Sequence, residues 1–171
     1  MGQILTVVFA AFYGIVSYYF AYYGEMITYL LMTSPIAIMS VISWIRHPYK
    51  DTSEVTVSRL SRKTVLALFA LAALVTVLFY FILKALGNAN LLVSTISVTT
   101  SFLASALTLL RSPYYALAYA ANDVVLIVLW IMASVSDISY LPMIACFLMF
   151  FANDVYGFVN WRRMQKRQES E

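Results

Sequence analysis

The stretch PYYALAYAANDVVLIVLWIMASVSDISYLPMIACFLMFFANDVYGFVNW, residues 113–161, decides the fold. It holds two apolar runs, separated only by Ser136-Asp137-Ile138. Each run is long enough to cross roughly 30 Å of hydrocarbon as a helix. Well inside each run sits an Asn-Asp pair, Asn122-Asp123 and Asn153-Asp154. A charged side chain at membrane depth costs about 2.5–3.5 kcal/mol on insertion scales, and such groups face a bundle interior or a wet cavity. The pattern predicts membrane helices packed around something polar.

The rest of the chain agrees. Of 171 residues, 63% are hydrophobic and 11% charged, against roughly 25% charged in a soluble domain. The excess apolar surface requires lipid, so the bilayer is the first partner. The single cysteine, Cys146, lies in an apolar run and excludes an intrachain disulfide. Met1-Gly2-Gln3-Ile4-Leu5-Thr6 loosely fits a myristoylation pattern. The chain enters a hydrophobic helix at once, so an added lipid would anchor nothing new. With no basic leader and a long first run, a signal peptide is not expected.

Six spans are predicted, at 3–23, 26–45, 64–86, 91–110, 113–135 and 139–161. The separators are short: Gly24-Glu25, Gly87-Asn88-Ala89-Asn90, Arg111-Ser112 and Ser136-Asp137-Ile138. Only the segment between the second and third spans is longer. It carries Arg46, Lys50, Arg59, Arg62 and Lys63, with Asp51 and Glu54 among them. This loop, Arg111 and the tail residues Arg162, Arg163, Lys166 and Arg167 all fall on one side, and Lys84 alone on the other. Basic residues mark the cytoplasm, so both termini are expected inside. The organisation follows: a leading helix pair over 1–46, a basic cytoplasmic loop over 47–63, a linker helix over 64–86, a second three-helix bundle over 87–161 and a cytoplasmic tail over 162–171. Pro113 and Pro142 suit first helical turns, and Pro35 is expected to kink the second span.

A shift of 117 residues aligns the first two spans with the last two without a gap. Tyr23 meets Tyr140, Met26 meets Met143, Leu31 meets Leu148, Met32 meets Met149, Trp44 meets Trp161 and Arg46 meets Arg163. Both copies run in the same direction, with the 64–86 helix as the odd linker. Parallel repeats are a transporter feature, with the substrate site near the midplane between them.

Candidate site residues follow from helical spacing. In the fifth span Tyr115, Tyr119, Asn122 or Asp123, and Trp130 share one face. In the last span Asn153, Tyr156 and Asn160 form a second polar face, with Asp154 and Trp161 beside it. Asp154 lies ~10 Å inside Trp161 at the helical rise. A structural role for either aspartate stays open, as a partner for a hydroxyl or for Arg162 or Arg163. Trp44 and Trp161 read as cytoplasmic interface anchors, and Tyr18, Tyr19, Tyr22 and Tyr23 as an outer aromatic belt. In the fourth span Ser94, Ser97, Ser101, Ser105 and Thr108 form a hydroxyl stripe. Close helix packing is the expected use of such a stripe, and a polar path wall the alternative.

Catalysis is not expected. Both aspartates follow Asn rather than the Gly-x-Gly-Asp type of motif of membrane aspartyl proteases. There is no Ser/His pair at depth, and His47 sits in the basic loop. No nucleotide-binding loop, metal cluster or cofactor motif is present in the sequence, and nothing points to nucleic acid.

Together these motifs resemble the PnuC family of nicotinamide riboside transporters. The resemblance rests on Tyr22-Tyr23-Gly24-Glu25-Met26, Ser43-Trp44, Arg111-Ser112-Pro113-Tyr114-Tyr115, Asn122-Asp123 with Trp130, and the run Asn153 to Trp161. It implies an all-α bundle of the 3+1+3 kind shared with the SWEET sugar transporters, here without the first of seven helices. It further implies a bacterial plasma-membrane location, homotrimers, and facilitated diffusion with trapping by a cytoplasmic kinase. The six-span count is consistent with a misplaced start, a truncated non-transporting remnant, or a different way of working. Better-known members carry a Trp-rich entry to the helix of Asp123, where this chain has Tyr115, Ala116 and Tyr119. Relatives carrying thiamine or riboflavin keep those substrates in view. For nicotinamide riboside the residues suit the chemistry. Aromatic faces attract its cationic ring, by about 2 kcal/mol when desolvated. Asn side chains match its amide and hydroxyls, and a buried Asp balances its charge.

Overall fold

The computed structural model describes residues 2–50, 52 and 54–170. Met1 of the lipidation pattern and Asp51 of the basic loop lie outside them. Regular structure among the described residues is helical, apart from one isolated antiparallel bridge between Pro48 and Val55. The helices are α1 (Gly2–Tyr19), α2 (Tyr23–Ile45), α3 (Arg62–Ala85), α4 (Leu91–Leu109), α5 (Tyr115–Ser136) and α6 (Leu141–Ser170). α2 to α6 are long and apolar enough to cross a membrane, and α1 adds a shorter apolar helix over Ile4–Tyr19.

Three of the short turns close by one device. Ala21, Gly87 and Arg111 take left-handed backbone, with φ of 56°, 65° and 55°. The following N–H then reaches back to the carbonyl five residues earlier: Tyr22 to Ser17 at 2.9 Å, Asn88 to Leu83 at 3.0 Å and Ser112 to Leu107 at 3.0 Å. This satisfies terminal carbonyls that lipid would leave unpaired. Elsewhere Ser61 caps α3, its side chain accepting from the Thr64 N–H.

The packing order is α1 on α2, α2 on α4, α4 between α3 and α5, and α5 between α4 and α6. α3 is peripheral, with only Leu68, Ala72 and Leu83 buried along its length. Long side chains carry α1 across to α5 and α6: Tyr13 reaches Trp130, and Phe9 reaches Phe147 and Phe150. Lipid tails are as apolar as leucine, so this assembly rests on close packing and polar contacts rather than hydrophobic burial. The α4 stripe shows how: Ser94, Ser97, Ser101, Ser105 and Thr108 are all buried.

Two span boundaries need correction, and two further elements take a form that the sequence does not specify. Gly24-Glu25 is not a separator. α2 begins at Tyr23, and Gly24 N–H donates to the Asn88 side chain at 2.8 Å, docking the α3–α4 turn onto the helix start. A Cβ on Gly24 would meet Leu83 at 3.1 Å, so the approach favours glycine. The first span ends at Tyr19, four residues early, because the chain must turn at Ala21. The Pro35 break takes the form of a π-helical segment at Thr28–Thr33, just before the proline. Proline offers no N–H to the preceding turn. Ser34 compensates, its hydroxyl donating to the Tyr29 carbonyl at 2.8 Å beside its own backbone N–H. Finally, the 162–171 tail stays helical to Ser170 and is held by the basic loop. Val57 N–H donates to Gln168 Oε1 at 2.9 Å, Gln168 Nε2 donates to the Val55 carbonyl at 3.0 Å, Arg59 pairs with Glu169 at 2.8 Å, and Arg167 pairs with Glu54.

Candidate substrate site between two aromatic clusters

The polar face of α5 lies in the middle of the fold. Asn122 and Asp123 are 1% and 4% exposed. The Asn122 side-chain oxygen accepts from Thr100 Oγ1 at 2.7 Å and Ser101 Oγ at 3.0 Å, both on α4. The hydroxyl stripe thus packs α4 and also gives the α5 face its polar partners. The Asp123 carboxyl interacts with that of Asp154 on α6. Asp123 Oδ2 has no hydrogen-bond partner among the described residues. Asp154 is half-buried and accepts weakly from Asn153 Nδ2 at 3.4 Å. The two carboxyl groups hydrogen-bond to each other, which takes one proton between them and leaves one negative charge at this point for a cation to balance.

An aromatic cluster lies on each side of this layer. Toward the 20–25 turn, Trp130 is fully buried and donates from Nε1 to Tyr13 Oη at 2.9 Å. Phe20, Tyr22 and Tyr140 surround its ring, and Tyr29 and Phe147 continue the cluster through Tyr13. Toward the basic loop, Trp44 and Trp161 meet at 5.3 Å between ring centroids, and Tyr115 packs edge-on to Trp161 at 4.8 Å. Tyr119 extends this cluster from Tyr115 and lies 3.4 Å from Ser105 Oγ by its hydroxyl.

The predicted residues therefore part company. Asn122, Asp123 and Asp154 come together. Tyr115 and Tyr119 lie in the cluster beside the basic loop, and Trp130 in the opposite one. Asn153 is exposed and Tyr156 is 67% exposed. Asn160 lines a separate groove of about 500 Å³ with Glu54, Trp161, Arg163, Met164 and Arg167. The face α6 turns to the bundle is Phe147, Phe150, Asp154, Gly157 and Trp161. Gly157 comes close enough to α5 that a Cβ there would sit 3.7 Å from the Ala116 methyl. Trp44 and Trp161 are clustered rather than splayed as interface anchors, and the Trp44 indole donates to the Thr108 carbonyl at 3.1 Å. Tyr22, read as part of an outer belt, is only 3% exposed, and Asn90 donates to its hydroxyl at 3.1 Å. Tyr18 and Tyr19 do face outward.

Two residues of the site escaped the sequence reading. Glu25 is completely buried, and neither carboxylate oxygen has a hydrogen-bond partner among the described residues. Ser97 Oγ lies close enough to interact but outside hydrogen-bonding geometry. Tyr29, 6% exposed, stands between the two acidic positions, within electrostatic reach of Glu25 and Asp123 and near Asn122. The signal for Glu25 is its place in Tyr22-Tyr23-Gly24-Glu25-Met26, which carries the resemblance, while Gly24-Glu25 alone reads as a separator.

A sequence profile described as nicotinamide mononucleotide transporter matches residues 1–163. The chain belongs to this transporter family. Its relatives include the nicotinamide riboside transporter PnuC of Neisseria mucosa, 28% identical over 164 residues. That match covers 93% of this chain and 62% of the relative, so the chain spans about three fifths of the length of the protein it resembles. Among solved structures, the crystal structure of the vitamin B3 transporter PnuC superposes with a TM-score of 0.81 at 26% identity, covering 97% of this chain and 73% of the other. As a member of the nicotinamide mononucleotide transporter family with several apolar helices, this is a multi-pass bacterial inner-membrane protein.

Proposed function

We propose that the chain carries nicotinamide riboside across the membrane by facilitated diffusion, with both termini in the cytoplasm. The observation that carries the reading is the buried polar layer of Asn122, Asp123 and Asp154 between two aromatic clusters. A cationic ring with an amide and a ribose matches each part: carboxylates for the charge, an asparagine for the amide, aromatic faces for the ring. The name of the Neisseria relative supports the same substrate. The orientation is supported by the basic loop, Arg111 and the α6 extension, which converge on one end of the bundle. Ser58 N–H donates to the Arg111 carbonyl at 3.0 Å, and Arg59 pairs with Glu169.

The parallel repeat has its own support. Tyr13 and Trp130, and likewise Trp44 and Trp161, stand 117 positions apart and touch. Equivalent residues of two repeats meet in this way beside a shared axis. Assembly as a homotrimer is part of the proposal by family resemblance.

The test is uptake of labelled nicotinamide riboside into vesicles holding the chain, with and without a proton gradient. Saturable uptake that ignores the gradient is expected. Thiamine, whose thiazolium is also cationic, is the competing substrate, because Tyr115 and Tyr119 replace the Trp-rich entry. Uptake of thiamine with no response to nicotinamide riboside reverses the assignment.

A further inference from the structure

Glu25 has no role in the site as first drawn, yet its surroundings are unusual. It lies in the first turn of α2, with Tyr13 of α1 and both Tyr22 and Tyr29 within electrostatic reach and Ser97 of α4 beside it. No arginine, lysine or histidine takes part in its recorded hydrogen bonds, ion pairs or electrostatic contacts among the described residues. An acid so buried is strongly disfavoured as a bare anion unless a positive charge or hydrogen-bond donors face it. Four hydroxyls of α1, α2 and α4 are likewise buried and unpaired among the described residues: Ser17 Oγ, Thr28 Oγ1, Thr33 Oγ1 and Ser97 Oγ. Tyr29 then links this position to Asn122 and Asp123.

We propose that Glu25 is a second anionic station on the substrate path, separated from the Asp123–Asp154 pair by Tyr29, and that it selects positively charged rings over neutral ones. The inference rests on the carrier reading above and adds a residue and a charge rule to it. Glu25 faces the cation directly while Tyr13, Tyr22 and Tyr29 offer ring faces around it. Tyr29 borders both positions. This divides the site into two stations of like sign, at each of which a bound cation would favour the ionised carboxyl that burial otherwise disfavours.

The discriminating pair of probes is nicotinamide riboside and its dihydro form, which has nearly the same shape but no ring charge. Binding of both is measured by calorimetry on the full chain in nanodiscs. The intact protein is expected to prefer the cationic probe. Glu25→Gln is expected to weaken the cationic probe by about tenfold or more, as loss of one partner of a buried charge pair does, and to leave the dihydro form within about threefold. Glu25→Asp is expected to keep the preference. If Glu25 merely holds a proton and donates to Ser97, Gln serves equally well and the ratio of the two affinities stays put. An unchanged ratio, or an equal loss for both probes, overturns the proposal. Should Glu25→Gln not fold, carbodiimide labelling of the unmodified protein decides. Saturating nicotinamide riboside is expected to protect Glu25, and equal labelling with and without it overturns the assignment. Failure of the intact chain to bind nicotinamide riboside at all is a separate outcome, which removes the carrier reading itself.

Discussion

The indoles of Trp44 and Trp161 pack against each other at 5.3 Å and 50°, and Tyr115 closes on both. Residues from α2, α5 and α6 thus meet at the end of the bundle that carries the basic loop. An aromatic pair of this kind contributes about 0.5–1.5 kcal/mol beyond its buried area. A double-mutant cycle of Trp44→Ala and Trp161→Ala is expected to show coupling of that size in thermal unfolding. Strict additivity of the two single losses contradicts a direct contact. The proposed transport is expected to change too, because the same rings stand between the Asp123–Asp154 layer and the end of the bundle that carries the basic loop.

The start of α2 leans on one side chain. Asn88 accepts from Gly24 N–H and donates to the Ala89 carbonyl at 2.7 Å, tying the α3–α4 turn to α2. Asn88→Ala leaves a buried N–H unpaired and is expected to cost about 1–3 kcal/mol. Asn88→Asp keeps the acceptor and is expected to lose less. Melting of the detergent-solubilised protein checks both, and an Asn88→Ala variant as stable as the parent refutes the docking role.

How much of this was legible beforehand depends on which physical quantity each residue reports. Asn122 and Asp123 were found because the cost of a carboxylate at depth needs no structure to apply. The division of α6 was not, because Asn153, Asp154 and Tyr156 are too close in sequence for spacing to settle the helix phase. One residue turns the helix by roughly 100°, which sends Asn153 and Tyr156 outward and Asp154 inward. Glu25 was hidden for a different reason. An acid in a first helical turn looks like a loop residue, and its burial comes from α1 and α4, which sequence spacing does not bring near. The contact of Trp44 with Trp161 was not legible, since interface tryptophans and paired tryptophans read alike in one dimension.

The α6 extension supplies a pH test outside the membrane. Arg59, which donates to Glu169 at 2.8 Å, holds the Glu169 carboxyl below its usual range. A depressed acid stabilises the folded arrangement above its unfolded value, and that contribution is lost as pH falls through the lowered one. The protection factor for hydrogen exchange at Val57, whose N–H donates to Gln168, is therefore expected to fall on going from neutral pH into the acid range. Glu169→Gln is expected to remove the part due to this pair. A protection factor at Val57 that ignores both pH and the substitution separates the pairing from the clamp. Both ends of the pair are exposed, so the effect is expected to fade in high salt.

Asp123 gives the most direct reading of the central layer. Its carboxyl meets that of Asp154, while Asn122 is already engaged by Thr100 and Ser101. Asp123→Asn keeps the size and removes the charge, leaving Asp154 as the single acid at that point. Affinity for a cationic vitamin is expected to fall by about tenfold, the fold-change that ~1.4 kcal/mol of lost charge balance produces, with a smaller change for a neutral one such as riboflavin. Asn122→Ala removes the acceptor for two α4 hydroxyls instead, so its loss is expected in stability as well as in binding, and for charged and neutral ligands alike. The two variants separate charge from scaffold. If Asp123→Asn weakens cationic and neutral ligands equally, the carboxylate serves the helix contact and the charge-balancing role fails.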